Sequence, residues 1–563
     1  MASDWRAQGE AKRLYILGCI PKKWRLTSPV PPASELRDVT EYIRQFLSPR
    51  EIEITETDAV DIVAQTSSGH WTAVEVAEAF CHRAALAHQL VSCLHEFFVE
   101  ATLEGAAKLD AYLAKHKTPV GPLHGLPISL KDQFHVKGVE TTMGYIGWMG
   151  TFQGRRNDPR HKNEESELVR ELRNLGAVLY CKTSVPTTLM AGETANNIIG
   201  YTQNPRSRLL SSGGSSGGEG ALIALRGSPG GFGSDIGGSV RSPSGYNALY
   251  GLLPSPGRVP YQGAANSIDG QSTILSVIGP IAPSAQSLEL LFKVVLSQQP
   301  WYHDPLVLEI PWRDEHVRET RALIERARPG KPSLAFGVFS YDGVARIHPP
   351  IARGFELVER TLLRLGHKMI RWNPPSHARA HEIVAKTFDM DDGTDLRHHL
   401  GLSGEPRPKQ VIVCDSRPEL KASEIAALNV AKREYEKEYM DYWNSTAALT
   451  ETGRPVDGVL CPIAPHAAAI PEHYRSLGYT SFVNLLGYTS VVIPVTFADK
   501  EVDVRAASRL PSNSEQFIDW EYDADTYHGA PVGLQIVGRR LQEKMLTLAH
   551  HIGEEVARDA RRV

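Results

Sequence analysis

Apolar positions between 72 and 116 recur at helical spacing. In "TAVEVAEAFCHRAALAHQL" they follow a cap-like Thr72 at every third or fourth place, which predicts the first of two helices over this stretch. The pattern then changes. "LPISLKD" is short, apolar and bounded by loop residues, as a buried strand is, and "AVLYCKTS" repeats that signal. Between them "ESELVRELRNLG" returns to helical spacing and stops at Gly176. Further on, "SLELLFKVVLSQ" predicts a helix, and "PSLAFGVFS" and "HKMIRW" predict strands on either side of the helix "IARGFELVERTLLRLG". "DGVLCPIA", "TSVVIPVTFA" and "VGLQIVGRR" predict buried strands near the end. Strands alternating with helices indicate an α/β protein. No internal repeat or sharp compositional break divides the chain. The expected organisation is an N-terminal helical arm over residues 1–70 with a Pro-rich turn at "SPVPPASE". A single domain over 71–563 follows, with a polar, divergent helical insertion at about 306–455.

Composition narrows the class. Of 563 residues, 42% are apolar and 22% charged, an ordinary globular balance that can bury a sizeable core. The net charge of -4 comes from 61 basic and 65 acidic residues with no long block of one sign, so neither nucleic acid nor an anionic membrane is the expected partner. No segment reaches the ~18 apolar residues of a membrane-spanning helix. "YILGCI" near the start is too short and too closely followed by charge for a signal peptide, and the final "RDARRV" is not the peroxisomal address. The six cysteines form no CxxC pair and lie near no histidine cluster, so reduced thiols, no metal site and a cytoplasmic location are expected.

The chemistry concentrates in "SSGGSSGGEGALIALRGSPGGFGSDIGGSVRSPS", residues 211 to 244. Twelve glycines between 213 and 245 suggest a flexible linker, but the stretch encloses an apolar run, "ALIAL", and opposite charges at Asp235 and Arg241, which linkers do not need. A dinucleotide loop requires GxGxxG, whereas Gly231, Gly233 and Gly237 miss that spacing by one. There is no GxxxxGK. Gly213, Ser215 and Gly217 do fit the GxSxG elbow of serine hydrolases, with His466 and His528 as available bases that no local context singles out. A β-lactamase-like SxxK is absent: no lysine stands three residues after Ser215 or Ser239. A further reading uses more of the letters. Two glycine-flanked serines, Ser215 and Ser239, lie 24 residues apart. In "DIGGS" the N–H groups of Ile236, Gly237, Gly238 and Ser239 can converge on one oxygen, as an oxyanion hole requires. Asp235 and Arg241 would brace the turn by an ion pair. Ser216 is better placed than Ser215 to cap the helix that follows.

This stretch resembles the hallmark of the amidase signature family. The resemblance extends to "GLPISLKDQF", "KTSVPTTLMAGETANNIIGYTQNP", "GLLPSPGRVP", "VIGPIAPSAQSLELL", "FVNLLGYTSVVIPV" and "APVGLQIVGRRL", covering most of 70 to 305 and 455 to 550. The N-terminal stretch and "GGEGALI" are similar to the fungal acetamidase or general amidase branch, with kinship to fatty acid amide hydrolase. The resemblance implies a large twisted mixed β-sheet covered by helices on both faces, with the site in a crevice near one edge. It also implies a nucleophile at Ser239, a bridging serine on a cis peptide at Ser215 and a base at Lys131, with Ser216 in support. Met190 and the adjoining "AGET", including Gly192 and Thr194, would line the acyl pocket; core packing is the competing role for Met190. The substrate would be a small-molecule linear amide, cleaved without cofactor or metal. The enzyme would act alone or as a homodimer, the alternative being an amidotransferase-type subunit with a partner chain.

Overall fold

The computed structural model describes residues 4–412, 418–474, 476–504 and 522–561. Cys414 lies outside these; among the described residues the other five cysteines are free thiols. No described helix is long and apolar enough to cross a membrane.

The strands are β1 Leu94–Phe97, β2 Pro127–Lys131, β3 Val178–Thr183, β4 Ala195–Asn196, β5 Gly200–Tyr201, β6 Gly231–Asp235, β7 Tyr250–Leu253, β8 Val277–Ala282, β9 Ala335–Val338, β10 Lys368–Arg371, β11 Gly458–Pro462, β12 Thr489–Phe497 and β13 Pro531–Gly538. Eleven of them form one mixed sheet in the order β1-β3-β2-β6-β8-β7-β12-β13-β11-β9-β10, and β4 with β5 makes a small separate hairpin. The sheet is parallel across β3, β2 and β6 and again across β11, β9 and β10. It is antiparallel through its centre from β6 to β11.

Helices cover both faces, and alternation along β13 shows how. Val532 lies against the helix Pro349–Arg364 and Gly538 against Met545 of the helix Lys544–Ala560. Gly533 and Gln535, on the opposite side, meet the helix Arg241–Tyr246. The expected α/β architecture with a twisted mixed sheet is therefore the one observed.

Several expectations change. A strand, β1, separates the two helices predicted over 72–116, which run Ala73–Val91 and Val99–His116. The strands predicted at "PSLAFGVFS" and "HKMIRW" form as β9 and β10 and complete one edge of the sheet, so the segment 306–455 supplies strands as well as helices. The N-terminal arm is anchored: Ile16, Ile20 and Trp24 are buried, and Lys12 pairs with Glu96 of β1 and, at 3.0 Å, with Glu140.

The glycine-rich stretch contains β6, "GFGSD". Its glycines answer close approach rather than flexibility. A Cβ on Gly231 would lie 2.2 Å from a Glu219 oxygen, and one on Gly233 2.4 Å from Ser216 Oγ, so the helix Gly217–Ala224 packs onto bare backbone.

Candidate active site

Lys131 is the last residue of β2 and Asp235 the last of β6. These parallel neighbours are the third and fourth strands from the β1 edge. Both residues thus sit at the carboxyl end of the parallel portion, where α/β sheets open their ligand crevices.

Lys131 is fully buried. Its Nζ lies 2.8 Å from Ser215 Oγ, 2.8 Å from Ser234 Oγ and 3.4 Å from the Ser234 carbonyl oxygen. Burial pushes its pKa down to about 7, although the carboxylates of Asp235 and Glu219 pull the other way. An amine tuned to that value is neutral in much of the protein at physiological pH. A neutral amine has two N–H donors and one lone pair. Three oxygens surround Nζ, one more than the donors of a neutral amine can serve. The Gly214–Ser215 peptide is cis.

Ser215 is buried, whereas Ser239 is half-exposed and faces a cavity of about 140 Å³. Behind the cavity the two serine loops are stitched together by the Ser216 N–H donating to the Ser239 carbonyl at 3.1 Å. Ser216 occupies the N-cap position of the helix Gly217–Ala224, but its hydroxyl makes no capping bond; it points to the Ser234 carbonyl at 3.4 Å.

The turn after β6 is organised by Asp235. Its carboxylate accepts from the N–H groups of Gly238 (2.8 Å), Val240 (3.0 Å) and Arg241 (3.3 Å), from the Arg241 guanidinium at 3.0 and 3.1 Å, and from Asn484 at 2.9 Å. Burial alone would raise this carboxyl; Arg241 and the other donors hold it at about 2. Arg241 is itself fixed by the Thr480 carbonyl, Gln535 and Asn484. The expected brace is therefore present, and it takes up one of the four N–H groups of "DIGGS". The Gly238 N–H is committed to Asp235, while those of Ile236, Gly237 and Ser239 make no bond within the described residues.

The cavity walls combine expected and unexpected residues. Met190 and Gly192 line it, and a Cβ on Gly192 would strike the Tyr474 ring at 2.3 Å. Thr194 does not line it: its hydroxyl donates to the Gly213 carbonyl at 2.9 Å and accepts from the Gly217 N–H at 3.2 Å, bracing the loop that carries Ser215. Val384 and Phe388 come from the helix His377–Phe388, inside the divergent segment, and Leu477 from beyond it. Neither histidine of the elbow reading lines the cavity. Buried His466 bonds Tyr246 at 3.1 Å, and exposed His528 accepts from the Lys500 N–H at 3.3 Å.

Sequence reasoning missed Ser234, Glu219 and Phe388. The glycines around Ser234 hid the strand that carries it, whereas a single carboxylate in the apolar helix "GGEGALIA" was a readable signal for the second. Nothing in the local sequence marked Phe388.

Residues 75–547 match the amidase family model. The chain belongs to the amidase family. It is 45% identical over 98% of its length, and 99% of the other's, to the acetamidase of Aspergillus oryzae (strain ATCC 42149 / RIB 40). It is also 43% identical, over 98% of both chains, to the acetamidase of Emericella nidulans (strain FGSC A4 / ATCC 38163 / CBS 112.46 / NRRL 194 / M139). Among solved structures it is similar to a fatty acid amide hydrolase, at 33% identity and a TM-score of 0.88, over 98% of this chain and 95% of that one.

Proposed function

We propose that this amidase-family protein hydrolyses short-chain carboxamides through an acyl-enzyme on Ser239. The observation that carries the reading is a fully buried lysine 2.8 Å from Ser215, whose loop the Ser216 N–H ties to the carbonyl of the cavity-lining Ser239; burial lowers that lysine's pKa to about 7. A serine hydroxyl is a weak nucleophile until a base takes its proton. Neutral Lys131 accepts the proton of Ser215, and Ser215 accepts that of Ser239. Ser239 Oγ then adds to the amide carbonyl carbon.

The negative oxygen that forms meets the N–H groups of Ile236, Gly237 and Ser239, each such donor supplying ~10²–10³ in rate. Collapse breaks the C–N bond. The proton returns from Lys131 through Ser215 to the departing nitrogen, which leaves as ammonia or an amine. Water then attacks the Ser239 ester, passing its proton along the same path, and releases the carboxylic acid.

A cavity of about 140 Å³ is small beside the ~300–1,000 Å³ of drug-sized ligand sites, and suits a short acyl group. The acetamidase relatives support the same size class. A fluorophosphonate should label Ser239, and Ser239→Ala should abolish both label and turnover. Label that persists in Ser239→Ala would move the nucleophile to another serine. A purified chain that cleaves no simple amide until a partner is added would favour an amidotransferase-type subunit instead.

A further inference from the structure

Glu219 takes no part in the relay just described, yet it is built into the same face of the sheet. It lies in the helix Gly217–Ala224 and is fully buried. Ser129 Oγ donates to its Oε2 at 2.6 Å and Thr183 Oγ1 to its Oε1 at 2.8 Å. Both donors frame Lys131. Ser129 precedes it by two residues on β2 and so shares its face, and Thr183 is its direct register partner on β3. Space for the carboxyl group comes from Gly231, the β6 partner of Ser129, where any Cβ would collide with it. A carboxyl group placed this deeply, given two hydroxyl donors and a glycine recess, is a constructed feature. Among the described residues no ion-pair partner touches it.

We propose that Glu219 is a positioning residue for Lys131: a buried carboxylate on the base's own face of β2 that sets the pH range over which Lys131 is neutral. The inference rests on the Ser239–Ser215–Lys131 reading. A negative charge near an amine favours the ammonium, so Glu219 opposes the burial that lowers the lysine's pKa and stops the base from becoming too weak.

The surrounding groups are accounted for. Lys131 faces two carboxylates, Glu219 from the helix and Asp235 from β6. Asp132, next in the chain, is occupied by Lys182 of β3 at 2.7 Å. Besides Lys131, Glu219 faces Cys93, Cys181 and Tyr180, all raised by burial and therefore uncharged. Burial raises Glu219 itself to about 7, with its two hydroxyl donors and Lys131 restraining the rise. Lysine and carboxyl thus exchange protons over the same range and titrate as a pair.

The test is the pH dependence of kcat/KM for a simple amide in wild type, Glu219→Gln, Glu219→Asp and Lys131→Ala. Loss of the charge in Glu219→Gln should move the rising limb to lower pH by about one unit and lower the plateau severalfold. Glu219→Asp, which keeps the charge, should restore the limb toward its original place. An unmoved limb in Glu219→Gln, with only a lower plateau or melting temperature, would reduce Glu219 to a packing residue and overturn the proposal. Failure of the underlying relay reads differently, as a limb that survives in Lys131→Ala.

If Glu219→Gln does not fold, Thr183→Val removes one donor to the carboxylate and so favours its neutral form. It should move the limb in the same direction by less, and an unmoved limb in that variant would equally overturn the proposal.

Discussion

The floor and the wall of the cavity are held by different forces. The floor, from Lys131 through the two serine loops to Arg241, is a hydrogen-bonded lattice; the N–H groups of the cavity-lining Ile236, Gly237 and Ser239 are left without a bond within the described residues. Asp235 alone accepts from three backbone N–H groups, one guanidinium and one amide. The wall formed by the helix His377–Phe388 is held by apolar packing. Its Ala380, Ile383 and Val384 belong to a cluster with Phe482 and Tyr439, and its His377 ring stacks on Phe482 at 4.3 Å. Directional bonds of fixed length tolerate few substitutions, whereas an apolar contact of the right volume can be remade by many side chains. The floor therefore suits conserved chemistry, and the wall suits tuning of the substrate.

Three changes to the floor should break it in order of severity. Ser239→Ala should cost the most: removing one member of a unit that acts together can lower turnover by ~10⁶-fold. Kinetics on a simple amide, with circular dichroism to confirm folding, measures it. A loss under tenfold would remove Ser239 from the reaction.

Lys131→Ala should cost ~10²–10⁴-fold on an amide and far less on the matched ester, because an alkoxide leaves with little help and an amide nitrogen needs the returned proton. Burial lowers the lysine's pKa to about 7, so the neutral base accumulates as pH rises. The wild-type rate should climb with pH through that value, and the variant's should not. Equal losses on both substrates, with the limb retained, would take Lys131 out of the relay.

Arg241→Met acts on stability. It leaves Asp235 buried without its main partner, at a cost of ~3–5 kcal/mol. In the wild type Asp235 is depressed from 3.8 to about 2, so its contribution is present above pH 4 and fades as pH falls toward 2. In the variant burial dominates and the folded carboxyl prefers its proton, so the deficit should shrink on acidification. Denaturant midpoints from pH 8 to pH 4 check this; a deficit that does not vary with pH would mean that Asp235 is not the group left exposed to the loss.

The same contrast explains what was legible in the sequence. Ser215, Ser239, Asp235 and Arg241 stood out because close backbone approach demands glycine and buried charge demands an opposite charge nearby, and both leave letters at fixed spacing; Lys131 was marked by the family resemblance alone. Buried strands such as β11 to β13 announced themselves by apolar runs. β6 did not: its glycines serve the helix above it and hide a strand's usual composition. β1 was lost between two strongly periodic helices. The commitment of the Gly238 N–H to Asp235 was equally hidden, since sequence shows which N–H groups are close and not which way each one points. Thr194 was adjacent to the true lining residues and pointed elsewhere. Phe388 was out of reach because only tertiary packing brings residue 388 to residue 237.

That residue offers the smallest expected effect and the sharpest contrast with the floor. The Phe388 ring comes within 3.5 Å of where a Cβ on Gly237 would stand, so it closes the cavity directly over the turn that would bind the oxyanion. The ring makes no polar contact with the proposed relay. Phe388→Ala should therefore leave the pH limb in place and enlarge the cavity. A short amide loses the apolar surface it packed against, and its kcat/KM should fall less than tenfold. A longer acyl chain gains the vacated space; at ~1–3 kcal/mol per accommodated methylene, the ratio of longer-chain to short-chain kcat/KM should rise ~10-fold or more. A graded series of linear amides, measured on both proteins at one pH, reads that ratio directly. If every chain length slowed by the same factor, Phe388 would be acting on the floor and not on the acyl pocket, and the division between a fixed floor and a tunable wall would fail at the residue where the two meet.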